Sequence, residues 1–447
     1  MKKFIIPGLV LALFLSSCGK HGNGELTGVA NRSKWFEPEP FGMVKIPGGS
    51  FTMGPNDQDF ASTMNAQSKT ISVDGFWMDE TEITNNEYRQ FVEWVIDSLS
   101  RQWIGATLPD EFLISEDVAG NPIDPPFINW KTRIDDRNED VAMALNNLYL
   151  NEEERFFRRK DIDARKLIYK YSWITTRQAA KKSNRYNYET NQYEGVVFNA
   201  DGDTVNINDR SAFIMNRSIN IYPDTLCWIA DFTYSYNDPW TNLYFWHPGF
   251  DDYPVVGISW EQANAFSIWR TQYHNNYLYI KKTGATVHNY RLPTEYEWEY
   301  AARGGLQLSQ YPWGGPYTRD KKGNFLANYK PLRGNYVEDG SIIPSEVGSY
   351  LPNGFGLYDM AGNVAEWTKS AYDESSYSFT HDLNPNYEYN ALPDDPPVMK
   401  RKVIRGGSWK DISYFNQTSS RSYEYQDSTK SYIGFRCVRS SMGSRIQ

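Results

Sequence analysis

Apolar positions in this chain come in short runs, punctuated by glycine, proline and tryptophan. Met43-Val44-Lys45-Ile46 and Phe51-Thr52-Met53 alternate on either side of Pro47-Gly48-Gly49, which predicts a hairpin. Thr84 and Glu87 have the spacing of a capping box. Tyr88, Phe91, Val92, Val95 and Ile96 then recur at helical spacing, predicting an amphipathic helix of about four turns. Ser259 with Gln262, and Thr294 with Glu297, are two more capping boxes. Ala263, Phe266 and Trp269 line the helix after the first, and Trp298 and Ala301 the helix after the second, which stops at Gly304-Gly305. Between Leu99 and Phe250 the grammar loosens. Glu152 to Tyr171 is dense in charge and predicts a solvated helix face, with Phe156, Leu167 and Ile168 as its buried positions. No catalytic motif falls in that region. Many short elements held by loops predict an α+β fold with little regular structure.

Gly354 to Trp367 is too rich in glycine for a helix and too irregular for a strand. Asp359 and Glu366 place two carboxylates in it, with backbone carbonyls between them. Hard cations such as calcium take that mixture of oxygen ligands, whereas a plain turn would leave both acids in water.

Composition narrows the class. Aromatic residues make up 16% of the 447 residues, with 32 Tyr and 15 Trp, which implies a packed body with polar-tipped aromatics at its surface. A formal net charge of -9 argues against nucleic-acid binding, which needs clustered Lys and Arg. The five His residues (His21, His247, His274, His288, His381) are scattered without metal-ligand spacing. Lys2 and Lys3 followed by the apolar run Phe4–Leu15 form a targeting segment too short to span a bilayer. It ends in Leu15-Ser16-Ser17-Cys18, which resembles a bacterial lipobox. The expected organisation is a signal peptide over 1–17, then lipidated Cys18 and a flexible tether over 18–40. The remaining cysteines, Cys227 and Cys437, could pair in an exported protein or stay apart.

Several motifs together resemble the formylglycine-generating enzyme (sulfatase-modifying factor) family. They are Ile46-Pro47-Gly48-Gly49, Asp79-Glu80-x-Glu82-Ile83-Thr84-Asn85, Ile258-Ser259-Trp260, Arg291-Leu292-Pro293-Thr294-Glu295, the Asp359–Trp367 loop, Arg405-Gly406-Gly407-Ser408-Trp409 and Gly434-Phe435-Arg436. The resemblance implies a C-type-lectin-related fold split into 41–98 and 251–440, with 99–250 as an insertion and partner-binding region. It implies structural calcium at two sites. The first is formed by Asn328, Tyr329, Asp339 and Ser341, the second by Asp359, Gly362, Val364 and Glu366. It does not imply copper. The oxidases of the family hold copper(I) with two Cys shortly after the Arg-Gly-Gly-Ser motif, and here Asp411 and Asn416 take those places.

The lipobox, the Phe51–Asp59 variant and the long middle region are similar to the GldK (PorK) type of gliding-motility lipoprotein. That resemblance implies a non-catalytic protein of the Bacteroidetes type IX secretion system. It would be anchored in the outer membrane facing the periplasm, and homo-oligomeric in a ring with a GldN/PorN-type subunit and other gliding and secretion proteins. Three alternatives stay open: the sibling GldJ type, a family enzyme with a different metal centre, and a glycan- or peptidoglycan-binding module.

Overall fold

The computed structural model describes residues 37–55, 68–117, 119–233 and 238–442. The targeting segment, Cys18 and most of the tether lie outside the described residues, as do residues 56–59 of the Phe51–Asp59 stretch. Residues 39–442 form one compact unit, and the content is mixed helix and sheet, as the α+β expectation requires.

Strands β1 (Met43–Ile46) and β2 (Gly49–Met53) do not pair with each other as a hairpin. β2 pairs with β3 (Lys69–Val73), while β1 pairs with β4 (Phe76–Asp79). Pro47-Gly48-Gly49 therefore carries the chain from one sheet to the next. A Cβ at Gly48 would lie 2.9 Å from Gly75 N, so glycine serves a close crossing of two connections.

Helix α1 spans Asn85–Thr107, 23 residues, and is longer than its apolar pattern predicts. Its capping box is present: Thr84 Oγ1 accepts the Glu87 N–H, and Glu87 accepts the Thr84 N–H at 2.9 Å. The predicted helix over 152–171 does not form. In its place stand three single 3₁₀ turns and strand β5 (Ile168–Ile174), paired antiparallel with β6 (Ile214–Asn220). Leu167 is buried, but Phe156 is 77% exposed and Ile168 42%.

Helix α2 (Trp260–Ile280) starts at the Ser259/Gln262 box. Strand β7 (Tyr290–Arg291) follows, and then α3 (Glu295–Arg303), from the Thr294/Glu297 box to Gly304 in the left-handed region. β8 (Ala365–Ala371), β9 (Arg401–Arg405), β10 (Ser422–Tyr425), β11 (Ile433–Gly434) and β12 (Val438–Ser440) complete two four-stranded sheets. Their orders are β1-β4-β12-β7 and β10-β9-β8-β11.

The largest core cluster packs α1 against α2 and both sheets. Tyr88, Phe91, Val92 and Val95 meet Phe266, Trp269, Trp367 and Phe435 there. Cys437 lies in this cluster, with Sγ 3.4 Å from Ser267 Oγ. Cys227 lies in a different cluster with Trp228 and Trp409. Both are free, buried thiols. Burial raises both thiol pKa values, that of Cys437 to about 12, so both stay protonated and chemically quiet.

Candidate functional site

The loop from Asp359 to β8 lies between two groups of oxygen donors. Asp359 (φ 54°) and Asn363 (φ 58°) both occupy the left-handed region, which Asn and Asp tolerate better than most residues. In the first group the Asp339 carboxylate accepts the Tyr329 N–H at 2.8 Å and the Ser341 N–H at 3.3 Å. Asn328, next in sequence to Tyr329, is buried. Its Nδ2 donates to Ile343 O at 3.1 Å, and its Oδ1 has no partner. Burial raises the Asp339 pKa. All four residues expected at the first calcium site are thus brought together. A half-buried carboxylate and a buried, orphaned amide oxygen suit a hard cation, which would supply the charge and the missing partner.

The second group is arranged differently from the expectation. Asp359 Oδ2 accepts the Gly348 N–H at 2.6 Å, while Oδ1 is buried without a partner. Glu366 is fully engaged elsewhere: Arg436 donates to it at 2.7 and 2.9 Å, and Trp298 Nε1 at 2.7 Å. Glu82, which pattern reading left inside a motif without a role, approaches Asp359 and Glu366. It is completely buried, and its Oε2 has no partner. Burial, then the charge of Asp359, pushes the Glu82 pKa well above the usual range. Burial also lifts Asp359 to about 6. Three carboxylates thus share one guanidinium, and two of their oxygens are orphaned. A side-chain hydrogen bond between Glu82 and Asp359 shares one proton between them, and a divalent cation held by the two would take that proton's place, while Arg436 and Trp298 hold Glu366 away. Gly362, with φ 80°, lies against the first group, since a Cβ there would be 2.3 Å from Asn328 O. Val364 is buried among aromatic side chains. Among the described residues, no cluster of three or more His, Cys, Asp or Glu is arranged as a metal site on side chains alone.

Asn363 joins the two groups. Its N–H reaches Asn328 O at 2.8 Å, its Nδ2 reaches Glu82 Oε1 at 3.2 Å, and its carbonyl takes the Trp409 N–H at 2.8 Å. The only sequence signal for this role is the Gly-Asn pair at 362–363, a generic turn mark.

Trp409 leads to the place where copper would sit in the oxidases. Asp411 accepts from Ser408 Oγ at 2.5 Å, and burial raises its pKa. Asn416 is buried, with neither amide atom hydrogen-bonded. Oxygen and amide donors do not fit copper(I), which prefers thiolate. The Trp409 ring is covered by Phe232 (centroids 5.7 Å, interplanar angle 1°) and Trp228 (6.3 Å). Asp231, between them in sequence, pairs with Lys410 at 2.5 Å and accepts from Ser431.

Comparison with known families matches the sulfatase-modifying factor enzyme 1-like domain over residues 32–143 and 241–441. The chain belongs to that family. Formylglycine-generating enzyme from Mus musculus is 26% identical over 402 residues, 89% of this chain and 74% of the relative. The enzyme named alike from Streptomyces coelicolor is 35% identical over 196 residues, 42% of this chain and 54% of its own. The inactive C-alpha-formylglycine-generating enzyme 2 of Mus musculus is 32% identical over 194 residues, covering 42% and 49%. Active and inactive members of the sulfatase-modifying factor family are therefore both among the relatives. Among solved structures, PvdO from Pseudomonas aeruginosa aligns over 89% of this chain and 94% of its own, at 17% identity and a TM-score of 0.43. No helix among the described residues is long and apolar enough to cross a membrane.

Proposed function

We propose that this chain is a non-catalytic member of the sulfatase-modifying factor family. In this reading it is a structural lipoprotein of the Bacteroidetes type IX secretion and gliding machinery, of GldK/PorK type. It is anchored through Cys18 in the outer membrane, faces the periplasm and forms a ring with a GldN/PorN-type subunit. The reading keeps the lectin-related fold, treats 99–250 as a partner-binding region, and takes the two oxygen-donor groups as structural calcium sites. The observation that carries it is the region beside Trp409. Hard donors at Asp411 and Asn416 stand in place of the soft pair, and the strap from Trp228 to Phe232 packs over the buried Trp409 indole beside them. Exposed tyrosines such as Tyr188, Tyr279 and Tyr317 supply contact chemistry that protein interfaces favour.

Outer membranes solubilised in mild detergent provide the test. Protein captured with the intact chain should contain a second subunit in comparable amount and appear as rings in negative stain. A monomeric chain carrying stoichiometric copper and oxidising cysteine peptides would overturn the proposal.

A further inference from the structure

A cavity of about 640 Å³ opens between α1, the 241–248 segment and residues 159–167 and 222–225. That volume is in the range of small-molecule sites. Its walls have two origins. Ile96 and Thr241–Pro248 come from the family-matched part of the chain, whereas Arg159–Ile162, Leu167, Tyr222 and Thr225 come from residues 144–240, which the family match leaves out. The cavity therefore exists because that segment packs against the family domain.

The chemistry of the wall is specific. The Trp246 indole is 38% exposed and tilted by 33° against Tyr222, to whose hydroxyl its Nε1 donates. Arg89 donates to Trp246 O at 3.1 Å and fixes the backbone beneath it. The rim carries Arg159 and Lys160. Arg159 is bonded through Nε to Asp161 at 3.1 Å, a carboxylate that also lines the cavity, and its side chain is 80% exposed, while Lys160 Nζ donates to Asn146 Oδ1 at 3.3 Å, so the two cations outnumber the one acid of the rim. His247 Nδ1 accepts the Gly249 N–H at 3.0 Å, which places the ring proton on Nε2 as a donor. The backbone of the wall is already satisfied. His247 N–H reaches Leu243 O at 2.8 Å, and His247 O takes the Phe250 N–H at 2.9 Å. Tyr222 N–H reaches Asn220 Oδ1 at 3.0 Å. An extended peptide, which binds through main-chain hydrogen bonds, has little to pair with here. A sugar ring suits the wall better. Its C–H face packs on an aromatic plane, its hydroxyls use side-chain donors and acceptors, and an acidic substituent would meet the guanidinium and ammonium at the rim.

We infer that this cavity binds an acidic saccharide, with Trp246 as the stacking platform and Arg159 and Lys160 as the carboxylate-binding rim. The test uses the fluorescently labelled full chain, with Cys18→Ser to prevent lipidation, on an array of neutral and carboxylate-bearing oligosaccharides. The chain should be retained on acidic glycans. Trp246→Ala should weaken that retention by about tenfold or more, the loss expected for one well-packed contact. Arg159→Gln with Lys160→Gln removes two exposed cations, with their surface contacts to Asp161 and Asn146, and should remove the preference for acidic over neutral glycans. Near-UV circular dichroism identical to the parent certifies folding of each variant. Retention on no glycan, or retention unchanged in Trp246→Ala, overturns the inference.

Discussion

Two buried charges decide how single residues behave. Glu366 and Arg436 satisfy each other inside the fold, so Glu366→Gln leaves a buried guanidinium short of its counter-ion and should cost about 3–5 kcal/mol with or without calcium. Asp359→Asn breaks no such pair. It should keep the fold but reduce the rise in Tm between chelator and millimolar calcium to the part that the first group supplies, measured by differential scanning calorimetry. A calcium response undiminished by Asp359→Asn would show that the second group holds no calcium. Lys402 is the other case. It is fully buried, donates to Tyr389 O at 2.6 Å and lies 3.7 Å from the Trp260 ring centroid. Burial lowers its pKa from 10.5 to about 7. The folded value is below the unfolded one, so the penalty for burying the charge is complete below pH 7 and is relieved as pH rises toward 10.5. Relative to Lys402→Met, the wild-type chain should therefore gain stability between pH 7 and 9, by about 1.4 kcal/mol per pH unit at most. Parallel urea titrations of the two proteins should diverge with pH, and a constant difference would contradict the assignment.

At the scale of elements, what the sequence disclosed depended on how local the signal was. All three capping boxes form, because each is a four-residue exchange of hydrogen bonds that tertiary context does not redirect. The last turns of α1 were hidden because polar residues face inward there. Ser100 Oγ bonds back to Ile96 O, and Arg101 reaches Asn129 O and Thr132 O. The stretch Ile168–Ile174 alternates with a period of two, Tyr169 and Tyr171 inward, yet its charged approach gave it the look of a helix. The first donor group was legible as a family motif. Glu82 as a member of the second donor group and Asn363 as the bridge were not legible, because they meet across 281 positions. The loop between the groups is itself testable. Gly362→Ala would set a methyl group 2.3 Å from the Asn328 carbonyl at a φ of 80°, so either the turn or the first donor group must move. A loss of about 2 kcal/mol or more is expected from strain and clash together. Chemical denaturation would detect it, and a neutral substitution would mean that the two groups are not in contact.

For the whole molecule, the question is whether residues 144–240, absent from the family match, form an attachment or part of the body. Their burial answers it. Leu148, Leu167, Tyr169, Tyr171 and Ile221 are each no more than 6% exposed and belong to the same cluster as Tyr88, Phe91 and Phe266. The Tyr88 hydroxyl donates to Ile221 O at 2.9 Å, and the Phe91 and Tyr169 rings meet edge to face at 5.1 Å. The surface this segment leaves for the proposed partner is its outer one, where Phe156 and Phe157 stand exposed. Truncating one large core side chain costs about 2–5 kcal/mol. A domain's entire stability is about 5–15 kcal/mol. Removing five such side chains together, and opening the faces of α1 and α2 to water, exceeds that margin. Replacing 144–240 by a short Gly-Ser linker should leave a chain without a cooperative thermal transition and open to limited proteolysis. A truncated chain that still melts cooperatively near the parental Tm would show that the family domain folds without the segment.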